Sequence, residues 1–270
     1  MNKEQVELGA VQRTLFLPLV VRARETRSRR PLLRDEKAVE LVRTIDFDPG
    51  RYSLGPLGCM VMIRTLTLDW WVEQFLAEHP AGTVVELGTG LSTRFDRLDN
   101  GTTHWIDLDL PDVIGARRRF FGDTSRRRMI AASLLDEDWL ADVEEFPGPY
   151  FFVSEGVLVY LREEDVAGAL ARIARRFQGA MFAFDTHSKS DFAWQHRLAA
   201  KRNFAPFAWV CQNPRSLERL GLRLVESATE GSPPPGLRSR LPAWYRRVLL
   251  PLAQPIVSRS AALNLFRADS

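Results

Sequence analysis

Apolar positions fall into two textures along the chain. Up to about residue 80 they recur at helical spacing: Ala38, Leu41, Val42 and Ile45 share one face, and Cys59, Ile63, Leu66, Trp70 and Phe75 share another. Between these patterns, residues 46–56 hold Pro49, Gly50, Gly55 and Pro56, which predicts a loop. From residue 83 onward, short apolar runs alternate with helical patterns, as a parallel sheet with crossover helices requires. Strands are predicted at 84–87, 103–108, 128–132, 150–154 and 180–184. The run at 150–154 is apolar almost throughout, the mark of a strand buried on both faces. Residues 162–177 place Val166, Leu170, Ile173, Ala174 and Phe177 on one helical face, with Gly179 as the stop. Two late segments, 222–226 and 263–267, read as antiparallel strands at one edge. The sum is an α/β fold with a doubly wound, mostly parallel, seven-stranded sheet behind an N-terminal helical cap. The run from Glu230 to Gly236, with three prolines between glycines, predicts a surface loop.

Composition narrows the partners. A chain of 270 residues with 45% apolar side chains makes one large domain or a domain with an appendage. Its 37 basic and 34 acidic residues leave a net charge of +3, far from the excess of a dedicated nucleic-acid binder. The two cysteines, Cys59 and Cys211, make neither a zinc cluster nor a disulfide framework, and no metal is expected. The apolar stretches at 15–21 and 248–257 are broken by Pro18, Pro251 and Pro255 and fall short of the ~20 residues a spanning helix needs. Glu4 and Glu7 precede the first of them, so no signal peptide is expected. A soluble cytoplasmic protein with no nucleic-acid or membrane partner is the expectation. The arginine groups at 29–30, 117–119 and 126–128 read as solvated helix faces or helix ends.

The chemistry is concentrated where the first predicted strand runs into Gly88-Thr89-Gly90-Leu91-Ser92-Thr93-Arg94. Glycines there let the backbone turn sharply and let a ligand approach it closely. The next strand ends in Asp107 and Asp109, and Asp109 lies nineteen residues beyond Gly90, near the spacing at which a carboxylate meets ribose hydroxyls. A dinucleotide fingerprint needs a third glycine where this chain has Thr93, and no Lys-Ser or Lys-Thr pair follows to make a triphosphate cradle. A nucleoside cofactor without phosphate remains, and S-adenosylmethionine fits that description.

With these pieces the chain resembles the leucine carboxyl methyltransferase and polyketide-synthesis O-methyltransferase family of class I S-adenosylmethionine-dependent enzymes. The resemblance spans nearly the whole sequence. It runs through Arg13-Thr14-Leu15, Arg22-Ala23-Arg24-Glu25, Leu33-Arg34-Asp35-Glu36, Arg64 with Asp69, Trp105-Ile106-Asp107-Leu108-Asp109, Ser154-Glu155-Gly156 to Tyr160-Leu161, and Asn264-Leu265-Phe266-Arg267. It implies a Rossmann-like methyltransferase domain at 81–270, a helical cap at 1–80 and a substrate lid inserted at about 186–221. By resemblance, Arg64 holds the cofactor's carboxylate and Glu155 faces its ammonium group. Gly88 and Gly90 lie against the cofactor's backbone and sugar, with Glu86 just before them. Asp109, or else Asp107, accepts from the ribose, and Ser133 and Leu134 line the adenine. Two departures stand out: Ser92 replaces the usual aspartate of Gly-Leu-Asp-Thr-Arg, and Ser133 stands where an aspartate often reads the adenine amino group.

The resemblance favours a carboxylate acceptor, already ionised and in need of no base; a phenol, with a pKa near 10, would gain from one. Asp185, His187 and His196 are the candidate bases, with His187 put forward as the catalytic one. Arg22 and Tyr160 are expected on the acceptor side, with Arg24 an alternative to Arg22. Aromatic side chains Phe192, Trp194, Phe204, Phe207 and Trp209 suit a flat small-molecule acceptor or an ordinary core. Three functions are in play: methylation of a small-molecule carboxyl or phenolic oxygen, methylation of a protein C-terminal carboxylate, and cofactor binding without transfer.

Overall fold

Each segment predicted as a strand forms one: β1 (Thr83–Leu87), β2 (His104–Asp109), β3 (Arg127–Ala131), β4 (Tyr150–Ser154), β5 (Met181–His187), β6 (Leu222–Ala228) and β7 (Ala261–Ala268). The computed structural model describes residues 4–5, 12–53, 58–202, 205–249 and 261–269. Its strands form one sheet in the order β3-β2-β1-β4-β5-β7-β6. Neighbours from β3 through β5 pair in parallel, and β7 lies antiparallel to both β5 and β6. The strand order reverses between β1 and β4, so the loops leaving these two strands diverge and open a crevice at their carboxyl ends.

Successive side chains of a strand point to opposite faces, and here both faces are covered. On one side, α3 (Gly58–Glu78) lays Leu68, Trp71, Val72 and Phe75 over Val84, Trp105, Phe151 and Val153. On the other, α6 (Trp139–Glu144) and α7 (Glu163–Arg176) cover Val85, Ile106, Phe152 and Phe182. The N-terminal helices α1 (Phe16–Thr26) and α2 (Glu36–Thr44) share a second cluster with Leu91 and α5 (Pro111–Arg117). The region expected as a cap is therefore of two kinds, since α3 is itself a layer of the sandwich. Among the described residues the remaining α-helices are α4 (Arg94–Leu98), α8 (Lys189–Arg202) and α9 (Pro235–Arg240). Among the described residues no helix is long and apolar enough to cross a membrane.

Two expectations are corrected. The run from Glu230 to Gly236 is not a surface loop: Glu230, Gly231, Pro233 and Pro234 are buried, and Pro235 opens α9, where its missing N–H breaks no intrahelical bond. Arg117 and Arg127 do not belong to solvated groups; both are buried because Asp107, sealed inside the sheet, pairs with them at 3.0 and 2.7 Å. Residues 250–260 and the side chains of Trp194 and Phe204 lie outside the described residues.

Phe152 is 1% exposed and has its ring centroid 5.0 Å from those of both Phe177 and Phe182. Phe152→Ala is expected to cost about 3–5 kcal/mol of stability, measured by urea denaturation at pH 7; a loss below about 1 kcal/mol would contradict this packing.

Candidate cofactor and acceptor site

The turn leaving β1 has a backbone that other residues rarely adopt: φ is +70° at Gly88 and +50° at Gly90. A Cβ on Gly88 would lie 2.5 Å from the Val157 side chain, so the position accepts nothing larger. The amides of Gly88 and Thr89 donate to the Leu108 carbonyl at 2.8 and 3.0 Å, which ties the turn to β2. At the end of β2, Asp109 accepts from Gly90 N–H at 2.7 Å and from Leu110 N–H at 2.8 Å while remaining partly exposed. Burial raises its pKa in spite of these bonds. Beside it, Ala132 N–H donates to the Asp109 carbonyl, which carries Ser133 and Leu134 to the carboxyl edge of β3.

Beneath the turn lies a fully buried guanidinium. Arg94 donates to Asp69 at 2.7 Å, to Glu155 at 2.6 Å and to Glu86, and these three carboxylates raise its pKa against the effect of burial. Asp69 also accepts from Arg97 at 2.8 Å; Arg97 reaches Asp35 at 3.1 Å, and Asp35 accepts from Arg22 at 2.8 Å. On the crevice side, Arg64 Nε donates to Glu155 Oε1 at 3.1 Å, and Thr65 Oγ1 donates to the same oxygen at 2.8 Å. Burial alone would raise the Glu155 pKa, but Arg64 and Arg94 overcome it and hold the group at about 2.

Asp185 of β5 follows the same rule. Burial opposes its charge, yet His187, Arg64 and the Gly156 amide hold its pKa at about 2. The His187 ring lies between two carboxylates, with Nε2 2.8 Å from Asp185 and Nδ1 against Asp191. Burial would favour the neutral ring, but the two aspartates push its pKa up to about 9. Phe207 packs on both His187 and Tyr160, with centroids 4.8 and 5.4 Å apart.

The predicted residues Arg64, Gly88, Gly90, Asp109, Ser133, Leu134 and Glu155 thus lie at the carboxyl ends of β1 to β4. Others are placed differently. Asp107 is fully buried, with Arg117, Arg127 and Thr89 on its oxygens, and presents nothing to the crevice. Glu86 is buried behind the glycine turn, where it anchors Arg94. Arg22 is 3% exposed, committed to Asp35 and to the Leu91 carbonyl, so it braces the N-terminal helices and is not open to an acceptor. Arg24 is exposed and reaches Ser53. His187 and Asp185 are members of an ion-paired set and not free bases, while His196 Nε2 lies 2.9 Å from the Phe207 carbonyl. Tyr160 is hydrogen-bonded to Thr14. Of the aromatic group, Trp209 belongs to the main core, and Phe192 lies tilted against His196 with ring centroids 4.2 Å apart. Sequence reasoning missed Arg94 and Glu230. Arg94 had a signal: Asp69, Glu86 and Glu155 all lie in apolar context and need a cation.

A sheet of this order, with a carboxylate ending β2 and opposed charges beside the first turn, defines a class I S-adenosylmethionine-dependent methyltransferase. Residues 16–174 match the leucine carboxyl methyltransferase family, to which the chain belongs. It is 38% identical over 232 residues to the tetracenomycin polyketide synthesis O-methyltransferase TcmP of Streptomyces glaucescens, covering 83% of this chain and 84% of that protein. It is 27% identical over 241 residues to the S-adenosyl-L-methionine-dependent methyltransferase dpfgK of Gibberella zeae, covering 81% of each. A crystal structure of a candidate methyltransferase from Thermobifida fusca YX shares the fold, with a TM-score of 0.58, 16% identity and coverage of 94% of this chain and 95% of that one.

His187 has a folded pKa near 9 against 6.5 for the free ring. Its contribution to stability is complete below pH 6.5 and is lost as pH rises through 9, a fall of up to about 3 kcal/mol at ~1.4 kcal/mol per unit. Urea midpoints measured across this range are expected to decline in the native protein and to flatten in His187→Gln.

Proposed function

We propose that this enzyme transfers a methyl group to a carboxylate oxygen of a small aromatic, polyketide-like acid. The observation that carries the choice of oxygen is the state of His187. With both ring nitrogens on aspartates it is a held cation and cannot take a proton. A carboxylate has no proton to lose, whereas a phenol would need a base. Identity of 38% to a polyketide O-methyltransferase over most of both chains supports a small-molecule acceptor over a protein tail.

The residues suit the cofactor. Opposite charges lie side by side at Arg64 and Glu155, as a zwitterionic amino acid end requires, and Asp109 reaches the mouth of the crevice beside the bare backbone of Gly90. In this reading Arg64 takes the methionine carboxylate through its planar guanidinium, and Glu155 faces the ammonium group. Asp109 accepts from the ribose hydroxyls, and Ser133 and Leu134 border the adenine. Bound S-adenosylmethionine supplies a methyl group on a cationic sulfur, open to in-line displacement. The chain's own part would be to hold the acceptor oxygen in line with that group and to keep water out. In the same reading Phe207 and Tyr160, in edge-to-face contact, would border the acceptor.

Asp109→Ala is expected to weaken S-adenosylmethionine and S-adenosylhomocysteine by at least tenfold, about 1.4 kcal/mol, in isothermal titration with the far-ultraviolet spectrum kept. Labelled methyl transferred to aromatic hydroxy acids is expected to return as methanol in alkali, as an ester does; alkali-stable label would mark an ether and sink the carboxyl reading.

A further inference from the structure

The turn after β6 holds a carboxylate that the mechanism above does not use. Thr229 and Ser232 exchange backbone hydrogen bonds at 3.2 and 3.0 Å, which fixes Glu230 and Gly231 as a two-residue turn. Glu230 is 8% exposed, and its Oε2 has no hydrogen-bond partner among the described residues. Arg64 and Cys59 of α3, His187 of β5, Asp191 of α8 and Tyr245 surround it electrostatically, with Glu25 of α1 acting on the same Cys59 and Tyr245.

Both cations in this set are already committed. Arg64 serves Glu155 and approaches Asp185 to 4.0 Å, and His187 serves Asp185 and Asp191. A buried carboxyl group without a cation of its own favours the neutral acid, and a neutral acid is a hydrogen-bond donor. Burial pushes Glu230 up to about 7, against the pull of Arg64 and His187.

We propose that Glu230 binds the acceptor as a neutral acid, donating its O–H to one oxygen of the acceptor carboxylate and presenting the other oxygen for methylation. This rests on the carboxyl-methylation reading. The negative acceptor itself reinforces the protonated state, since two carboxylates in contact cannot both ionise. In the transfer, a lone pair of the free oxygen forms the bond to the methyl carbon as the carbon–sulfur pair departs with sulfur. Carboxylate and sulfonium charges cancel, and Glu230 keeps its proton.

The sign of the pH dependence follows. The donor is present below about pH 7 and lost above it. With tritiated S-adenosylmethionine and a panel of one- to four-ring aromatic hydroxy acids, kcat/KM of the native enzyme is expected to be level near pH 6 and to fall tenfold per unit above about 7. Glu230→Ala is expected to raise KM for the acid at least tenfold while the Kd for S-adenosylmethionine stays within twofold. Glu230→Gln keeps an N–H donor and cannot ionise, so it is expected to restore KM and to abolish the alkaline fall. An alkaline fall that survives in Glu230→Gln, or a KM indifferent to Glu230→Ala, overturns the role of Glu230 alone. Loss of kcat in Glu230→Gln, with a native rate that rises with pH, would make Glu230 a base. Ether products, or no ester from any acid of the panel, would instead remove the carboxyl reading itself.

Discussion

A guanidinium sealed from solvent, with carboxylates from three separate elements closing on it, sets the geometry of the whole carboxyl edge of the sheet. Arg94 receives Asp69 from α3, Glu86 from β1 and Glu155 from the end of β4. Each of these ions loses several kcal/mol of hydration on burial, and only close, well-formed pairing offsets that loss. Positions that satisfy all three at once are few. The helix on one face of the sheet and the two strands at the reversal of strand order are therefore locked in a single arrangement, and the crevice between those strands inherits its shape from it.

The pairing does not stop at Arg94. From α1 inward the signs alternate through Arg22, Asp35, Arg97, Asp69 and Arg94, and then outward through Glu155, Arg64, Asp185, His187 and Asp191. Such a row links the N-terminal helices to α8 across the mouth of the crevice. It also explains why Arg64 and Glu155 stand as an opposed pair: each is braced from behind by a partner of opposite sign, so that in the proposed cofactor reading neither would have to reorient to meet a zwitterion. Preorganisation of this kind lowers the cost of binding.

Much of this was legible in the sequence, and the reason is periodicity. β1 and β4 appeared as short apolar runs because they are buried on both faces, and Asp109 stood out by its spacing from Gly90. The ionic interior was not legible. Whether an arginine is solvated depends on which distant acid shares its surroundings, and nothing near Arg117 or Arg127 in the chain announces Asp107 as a buried partner. Arg22 misled for the same reason, because its partner Asp35 is brought to it by the turn between α1 and α2. The proline run after Glu230 looked like loop by its chemistry, and only the fold shows that Glu230 is buried and that α9 packs on α3 through Leu237 and Ile63.

His187 and Glu230 extend the same rule beyond Arg64. Similar burial acts on both, yet the outcomes are opposite: the imidazole with two aspartates is held charged, and the carboxyl group without a cation is driven toward neutrality. A pocket rich in acids by composition would repel an anion if every acid were ionised and unpaired. Here Asp185 and Asp191 share one histidine, with Arg64 4.0 Å from Asp185, Glu155 is paired with two arginines, and Glu230, as proposed above, carries its own proton. Under the proposed carboxyl reading, divergent pKa values among these neighbours mark the division between the acids that pair and the one that would donate.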